Sequence, residues 1–242
     1  GVRVVGYRTS RGALTDLPVV GELGEIVVDS TGTRAALTLD GREVGELHVG
    51  TPGEHMALNA LAALLAAREV AGPEGFDRDG FLAGLSGFGG VGRRFEPRGE
   101  ALLDGVPVRV FDDYAHHPTE VSAVLGAARE VVEADGGRLV AVFQPHLYSR
   151  TRIFAEGFGR SLSLADEVVV VEVYGAREEP EPGVDAGLIT RHVTSPVHRA
   201  ADLDAALETV LGLLTPGDVV FTVGAGDITT LGPRIVDGVA AG

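Results

Sequence analysis

The stretch Val106-Pro-Val-Arg-Val-Phe-Asp-Asp-Tyr-Ala-His-His-Pro-Thr-Glu120 decides how the chain is read. Its first six residues form an apolar, β-prone run. The residues after it place apolar side chains at Val121, Val124, Leu125 and Ala128, the spacing of a helix packed on one face. A strand-to-helix junction therefore carries two carboxylates, a phenol and two imidazoles. Pro118 suits the first helical turn, where its missing N–H would have no partner anyway, so His117 is the expected cap. The positive end of that helix then lies beside the histidine pair, a place that favours an anion.

The same alternation continues to the C-terminus. Strands are expected at Val106 to Phe111, Arg138 to Phe143, Glu167 to Val173 and Val219 to Val223, with a shorter one near Ser195 to His198. Helices are expected at about 118–134, 150–163, 185–193, 202–213 and 228–240. Apolar strands separated by amphipathic helices predict a doubly wound, mostly parallel α/β sheet, whose ligands bind at the carboxyl ends of its strands. His116, Gln144-Pro-His146, Tyr174 and Gly224-Ala-Gly-Asp227 all follow strand ends, so one rim would gather them.

Upstream the pattern differs. Gly1 to Val5 reads as a strand, and the runs Glu25 to Val28, Arg34 to Leu39 and Glu43 to Val49 read as a small antiparallel meander, with Asp40-Gly41 as a hairpin turn. Thr51 to Asn59 leads into an Ala/Leu-rich helix ending near Val70, and a second helix is expected near Asp77 to Leu85. Gly87-Phe-Gly-Gly-Val-Gly92 follows, a glycine-rich candidate hinge.

Composition excludes several functions. The 242 residues contain no cysteine and carry a net charge of −15, against a disulfide framework and against broad nucleic-acid binding. No apolar run approaches the roughly 20 residues of a membrane span, and a cytoplasmic protein is expected. All 20 basic residues are arginine, so there is neither a P-loop lysine nor a Schiff-base lysine.

Several residues carry candidate chemistry. Asp112, Asp113, His116, His117 and His146 could ligate a metal, but adjacent histidines point in different directions and rarely chelate together. Gly224-Ala-Gly-Asp-Ile-Thr229 superficially resembles a dinucleotide fingerprint, but Thr stands where the third glycine belongs. A tight turn near a ligand and a plain helix start with Asp227 at the cap both remain open. Arg150 and Arg152 open a helix, where the dipole disfavours cations, and that local cost points to a ligand for at least one of them.

In order along the chain, Gly53-Glu-His-Met-Ala-Leu-Asn59, Arg93-Arg-Phe-Glu96, Asp112 to Glu120, Phe143-Gln-Pro-His-Leu-Tyr-Ser-Arg-Thr151 and Gly224-Ala-Gly-Asp227 resemble the Mur ligase family. The double His before Pro-Thr-Glu, with Gln-Pro-His, is similar to its alanine-adding branch. The resemblance implies the end of a central ATPase domain at 1–93 and a Rossmann-like ligase domain at 94–242, a fragment inactive without the P-loop part. It implies ATP and Mg2+ as cofactors of the intact enzyme, and ATP, L-alanine, UDP-N-acetylmuramate and the missing N-terminal part as partners. By motif position, His55 and Asn59 would line the adenine pocket, Arg94 would contact the nucleotide and Asp113 would bind the ribose. His116 and Arg150 would hold the alanine carboxylate, with Tyr114, His117, His146, Gly224 and Asp227 on the rim. Met56 and Leu147 depart from residues common in relatives, Asn and Arg respectively. Two other readings compete: a stand-alone nucleotide-binding or regulatory module, and a metal-dependent hydrolase built on the Asp/His cluster.

Overall fold

The computed structural model describes residues 4–10, 16–72 and 75–241. The chain divides into two compact units, Gly1–Gly90 and Val91–Gly242.

The first unit contains β1 (Gly6–Thr9), β2 (Val19–Leu23), β3 (Val27–Asp29), β4 (Gly32–Leu39), β5 (Arg42–Val49), α1 (Glu54–Ala71) and α2 (Arg78–Ser86). One edge of β4 pairs with β5, and its other edge is shared between β2 and β3; all these pairings are antiparallel, while β1 joins β2 in parallel. Asp40 and Gly41 turn β4 into β5 with positive φ at both residues, the geometry that Asp-Gly makes accessible. Helix α1 buries Ala57, Ala60, Leu61 and Leu64, a repeat of three and four residues that lays one stripe on Leu23, Leu37, Leu47 and Val49. The expected strand at Gly1 to Val5 lies partly outside the described residues, and the first described strand begins at Gly6. Strand β2 was not expected.

The second unit contains β6 (Glu96–Leu103), β7 (Val106–Asp113), α3 (Pro118–Asp135), β8 (Leu139–Phe143), α4 (Tyr148–Leu162), β9 (Glu167–Val171), α5 (Gly187–Thr190), β10 (Val197–Ala200), α6 (Leu203–Leu213), β11 (Val219–Val223) and α7 (Leu231–Ala241). Its sheet runs β10-β9-β8-β11-β7-β6, parallel except for the antiparallel edge strand β6. Every residue of β8 and of β11 is buried, as strands covered on both faces require. On one face Val108, Val110, Val140, Val142, Val169, Val171 and Val220 share a core with residues of α6 and α7. Strand β11, last in sequence, inserts between β7 and β8. This order brings the turn after β11 between the loops that follow β7 and β8.

Strand β6 was not expected; it contains Pro97 and Gly99, residues that weaken the interior of a strand. At a sheet edge both are tolerated: the ladder shifts register between them, and Gly99 takes φ 135 with Val236 packed where a Cβ would stand. Asp104-Gly105 makes a second turn with positive φ at both residues. The helix expected at 185–193 is only the single turn α5, and the one expected from 228 opens as a 3₁₀ turn, Asp227–Thr230, before α7. Among the described residues no helix is long and apolar enough to cross a membrane.

At the amino ends of β8 and β11, away from the loops described below, fully buried Asp218 accepts two bonds from Arg138, at 3.1 and 2.8 Å, and two from Thr215. Removing one partner of a buried pair costs several kcal/mol, less here because Arg138 is a third exposed. Asp218→Ala should lower stability by about 2 kcal/mol, read as a reduced urea midpoint by circular dichroism.

Candidate functional site

The carboxyl ends of β7, β8, β9 and β11 carry Asp112 to His117, Gln144 to Arg150, Glu172 to Gly175 and Gly224 to Asp227 on one rim of the second unit. Expectation and structure agree on which residues follow those strand ends. The roles that hydrogen bonding leaves to them are more restricted.

Asp112 is fully buried and accepts from Thr222 Oγ1 at 2.7 Å, Thr229 Oγ1 at 2.8 Å and Arg93 Nε at 3.1 Å. Asp113 accepts main-chain N–H bonds from Phe95 (2.9 Å) and Ala115 (2.8 Å), with Arg94 Nη1 at 3.8 Å. Burial pushes the Asp113 carboxyl above its ordinary range, and those two N–H groups and Arg94 offset part of the rise. The two carboxylates are thus committed to the protein's own donors, and among the described residues no three His, Asp or Glu side chains converge on a common metal position.

Tyr114 lies under Arg93 and Arg94, whose Cζ atoms stand 4.8 and 5.7 Å from its ring centre, and meets the His116 ring edge-on at 5.2 Å. His116 places Nδ1 2.9 Å from the Tyr114 carbonyl and 3.4 Å from Glu120 Oε2. Glu120 Oε2 also accepts the His116 N–H at 2.9 Å. Burial would raise the Glu120 carboxyl, but that N–H and the charges of His116 and Arg94 hold it below its ordinary value. The start of α3, expected to welcome an anion, is therefore served by the chain itself. A carboxylate three residues past the cap reaches back, as in a capping box. His117 is the N-cap: its Nδ1 accepts the Thr119 N–H at 3.3 Å, and its ring packs edge-on against Phe154.

Across the rim, the Leu147 side chain cannot cap α4. The cap comes from Glu178 in the loop after β9, which accepts from the Ser149 N–H (2.9 Å) and hydroxyl. Arg152 pairs with Glu181 at 3.0 Å. Arg150 differs: its Nη1 is buried without a hydrogen-bond partner, and so is His146 Nδ1. The His146 ring stacks on Tyr174 at 5.6 Å. Burial lowers its pKa, the charge of Arg150 and, when it is protonated, that of His116 lower it further, and Glu178 works the other way. His146 is therefore neutral at pH 7.

Gln144 locks the two neighbouring loops together. Its Nε2 donates to Asp227 at 2.7 Å and its Oε1 accepts the Ile228 N–H at 3.2 Å. A Cβ at Gly224 would stand 2.7 Å from the Gln144 carbonyl, and one at Gly226 would collide with the Gln144 amide and the Tyr174 ring. The glycines of Gly224-Ala-Gly-Asp227 thus admit the β8 and β9 loops. In the first unit, His55 is half-buried in the first turn of α1 and Asn59 is exposed one turn later, while Met56 packs on the apolar core.

Sequence reasoning gave no role to Arg93, Glu120, Gln144 or Glu178. The Glu120 signal was available, an acid three residues after the cap. The others act across long sequence separations and leave no local pattern.

Residues 93–226 match the model of the Mur ligase, glutamate ligase domain. The chain belongs to the Mur ligase family. Relatives named UDP-N-acetylmuramate–L-alanine ligase come from Rhodococcus jostii (strain RHA1), 50% identical over 262 residues, covering 100% of this chain and 50% of the relative, and from Nocardia farcinica (strain IFM 10152), 52% identical over 250 residues, covering 100% and 48%. The crystal structure of UDP-N-acetylmuramate-alanine ligase MurC from Thermotoga maritima matches with a TM-score of 0.72 at 29% identity, covering 90% of this chain and 45% of that one. The chain spans about half the length of the curated relatives it matches. The rim residues after β7 and β8, and Gly224 to Gly226 after β11, lie within the matched Mur ligase domain.

Two measurements probe the caps of this Mur ligase domain. His117→Ala should lose about 1 kcal/mol of stability, while His117→Asn, whose side-chain oxygen can accept the same N–H, should keep most of it in urea unfolding. The Ser149 bonds hold the Glu178 carboxyl below its ordinary 4.5. A depressed carboxyl stabilises the fold above its unfolded pKa and loses that contribution as pH falls through the folded value. The Ser149 amide resonance should therefore shift with a midpoint below pH 4.5, and Glu178→Gln should abolish the transition.

Proposed function

We propose that this chain is the C-terminal half of an ADP-forming ligase that joins L-alanine to UDP-N-acetylmuramate in peptidoglycan precursor synthesis, in the cytoplasm. Residues 1–93 would be the end of its ATPase domain and 94–242 its amino-acid-binding domain. The names of the two relatives, about half of each of which this chain covers, support this reading. The observation that carries it is the pair of buried, unpartnered nitrogens, His146 Nδ1 and Arg150 Nη1, on the rim that also holds His116. Buried polar groups without partners are uncommon and costly, and an amino-acid carboxylate would satisfy both.

Within this proposal His116 and Arg150 bind L-alanine. His55 and Asn59 line the adenine pocket, Arg94 contacts the nucleotide and Asp113 meets the ribose, whose hydroxyls would supply further donors to a carboxylate that burial has destabilised. ATP would phosphorylate the muramate carboxylate to an acyl phosphate, from which phosphate leaves when the alanine amine attacks the acyl carbon. Among the described residues no three His, Asp or Glu side chains come together, so magnesium would be held largely by the nucleotide phosphates and by groups outside this chain. The chain has no lysine to set on the terminal phosphates, so a P-loop lysine would come from the N-terminal part of the enzyme.

Joined to the N-terminal half of the Rhodococcus jostii relative, the chain should release ADP only when UDP-N-acetylmuramate and L-alanine are both present, whereas alone it should release none. In the joined enzyme Arg150→Gln should raise the KM for L-alanine by roughly tenfold or more and leave the KM for ATP nearly unchanged. Turnover by the isolated 242 residues, or an equal effect on both substrates, would count against the assignment.

A further inference from the structure

His116 and Arg150 were both expected to grip a carboxylate, yet hydrogen bonding gives them opposite characters. His116 Nδ1 lies 2.9 Å from the Tyr114 carbonyl and 3.4 Å from Glu120 Oε2, and both of those oxygens can only accept. Nδ1 therefore carries the hydrogen, and Nε2 of the neutral ring presents a lone pair. A lone pair repels a carboxylate and welcomes an N–H. Arg150 Nη1 can only donate, and His146 Nδ1 is buried beside it without a partner. His146 is also coupled through charge to both Arg150 and His116. The loops that carry them leave β7 and β8, which flank β11, so they start roughly 10 Å apart, within reach of side chains from both sides.

An acceptor at His116 with a donor at Arg150, joined by His146 when its Nδ1 carries the hydrogen, is the complement of an α-amino acid, whose ammonium donates and whose carboxylate accepts. We propose that His116 Nε2 is the proton acceptor for the substrate ammonium, while His146 and Arg150 together clamp its carboxylate. This inference rests on the reading that the rim takes an α-amino acid. In the step, one ammonium N–H bond breaks, its electron pair stays on nitrogen as the nucleophile's lone pair, and the proton joins Nε2. The resulting imidazolium has the Tyr114 carbonyl and the Glu120 carboxylate at Nδ1. The other charged groups facing the region are Arg93 and Arg94 from the segment before β6, Arg150 from the first turn of α4, and Glu178 from the loop after β9. His146, being neutral, adds no second positive charge. It would also supply a donor that Leu147, an apolar residue in the same loop, does not.

The full 242-residue chain allows a direct test by nitrogen-15 spectroscopy of its imidazole rings. Without ligand, at a pH where His116 is neutral, its ring should show the Nδ1–H tautomer; an Nε2–H tautomer overturns the proposal. Propionate, which has the carboxylate but no amine, should shift His146 and Arg150 and leave the His116 ring unmoved, whereas L-alanine should shift all three. If propionate moves His116 as far as L-alanine does, the division of labour is overturned and the amino-acid reading survives. Binding of neither ligand overturns both. His116→Gln should weaken L-alanine by about tenfold without weakening propionate, with the amide spectrum of the second unit confirming the fold. An equal loss for the two ligands would mark His116 as structural and overturn its role as acceptor.

Discussion

The rim depends on one buried charge. Asp112 has no exposed surface, and an ionised carboxylate removed from water must be surrounded by donors. Its partners come from three places: Thr222 on β11, Thr229 on the 3₁₀ turn beyond it, and Arg93 ahead of β6. Arg93 then continues to the Gly224 carbonyl at 2.6 Å and lies over the Tyr114 ring. A single carboxylate thus ties the ends of β7 and β11 to the segment leading into the sheet. Asp113 repeats the arrangement in the next position, holding the Phe95 N–H while the Phe95 ring packs against Phe111 and Phe221 at 5.3 and 4.7 Å. Of the two adjacent acids, neither is free in the way a catalytic acid or metal ligand must be.

With those anchors in place, what the rim offers a ligand is set by side chains. The first turns of α3 and α4 are each occupied by a carboxylate of the chain, Glu120 and Glu178, so the two helix dipoles are already answered. Arg152 is answered as well, by Glu181. What is left over is selective: a tautomer fixed by Tyr114 on one side, and two orphaned nitrogens on the other. The helix-opening arginines looked alike in sequence and are sorted by the loop after β9, which supplies a partner to one and leaves a buried nitrogen of the other unpaired.

That sorting also marks how far the sequence could be read. The parallel sheet was legible because β8, β9 and β11 are short, apolar and buried, and because helices of regular spacing separate them. The cap at His117 was legible from Pro118. Strand β6 contains Pro97 and Gly99, whose cost depends on whether the strand lies at an edge, a property of the whole sheet. Its turn, Asp104-Gly105, is the same dipeptide that revealed the β4–β5 hairpin. The residues of the rim were legible as a set, since each follows a strand. Their donor and acceptor roles were not: these depend on Tyr114 O, Glu178 and Gln144, which meet their partners only after folding.

Leu147 shows how the remaining order is enforced. Its φ of 74 lies in the left-handed region, where a side chain other than that of glycine costs about 1 kcal/mol or more. The conformation is held from both ends: the Leu147 N–H donates to the Tyr174 carbonyl at 2.9 Å, and its own carbonyl accepts from Thr151 N at 3.0 Å and Thr151 Oγ1 at 2.8 Å. Tyr174 N–H returns a bond to Pro145 at 2.8 Å. These bonds leave the chain one path between Gln144 and the first turn of α4, with His146 stacked on Tyr174 and Arg150 three residues beyond the bend. Glycine at 147 would relieve the backbone and widen the choice of paths. The strained leucine narrows it, and so keeps two unpaired nitrogens at fixed positions before any ligand arrives.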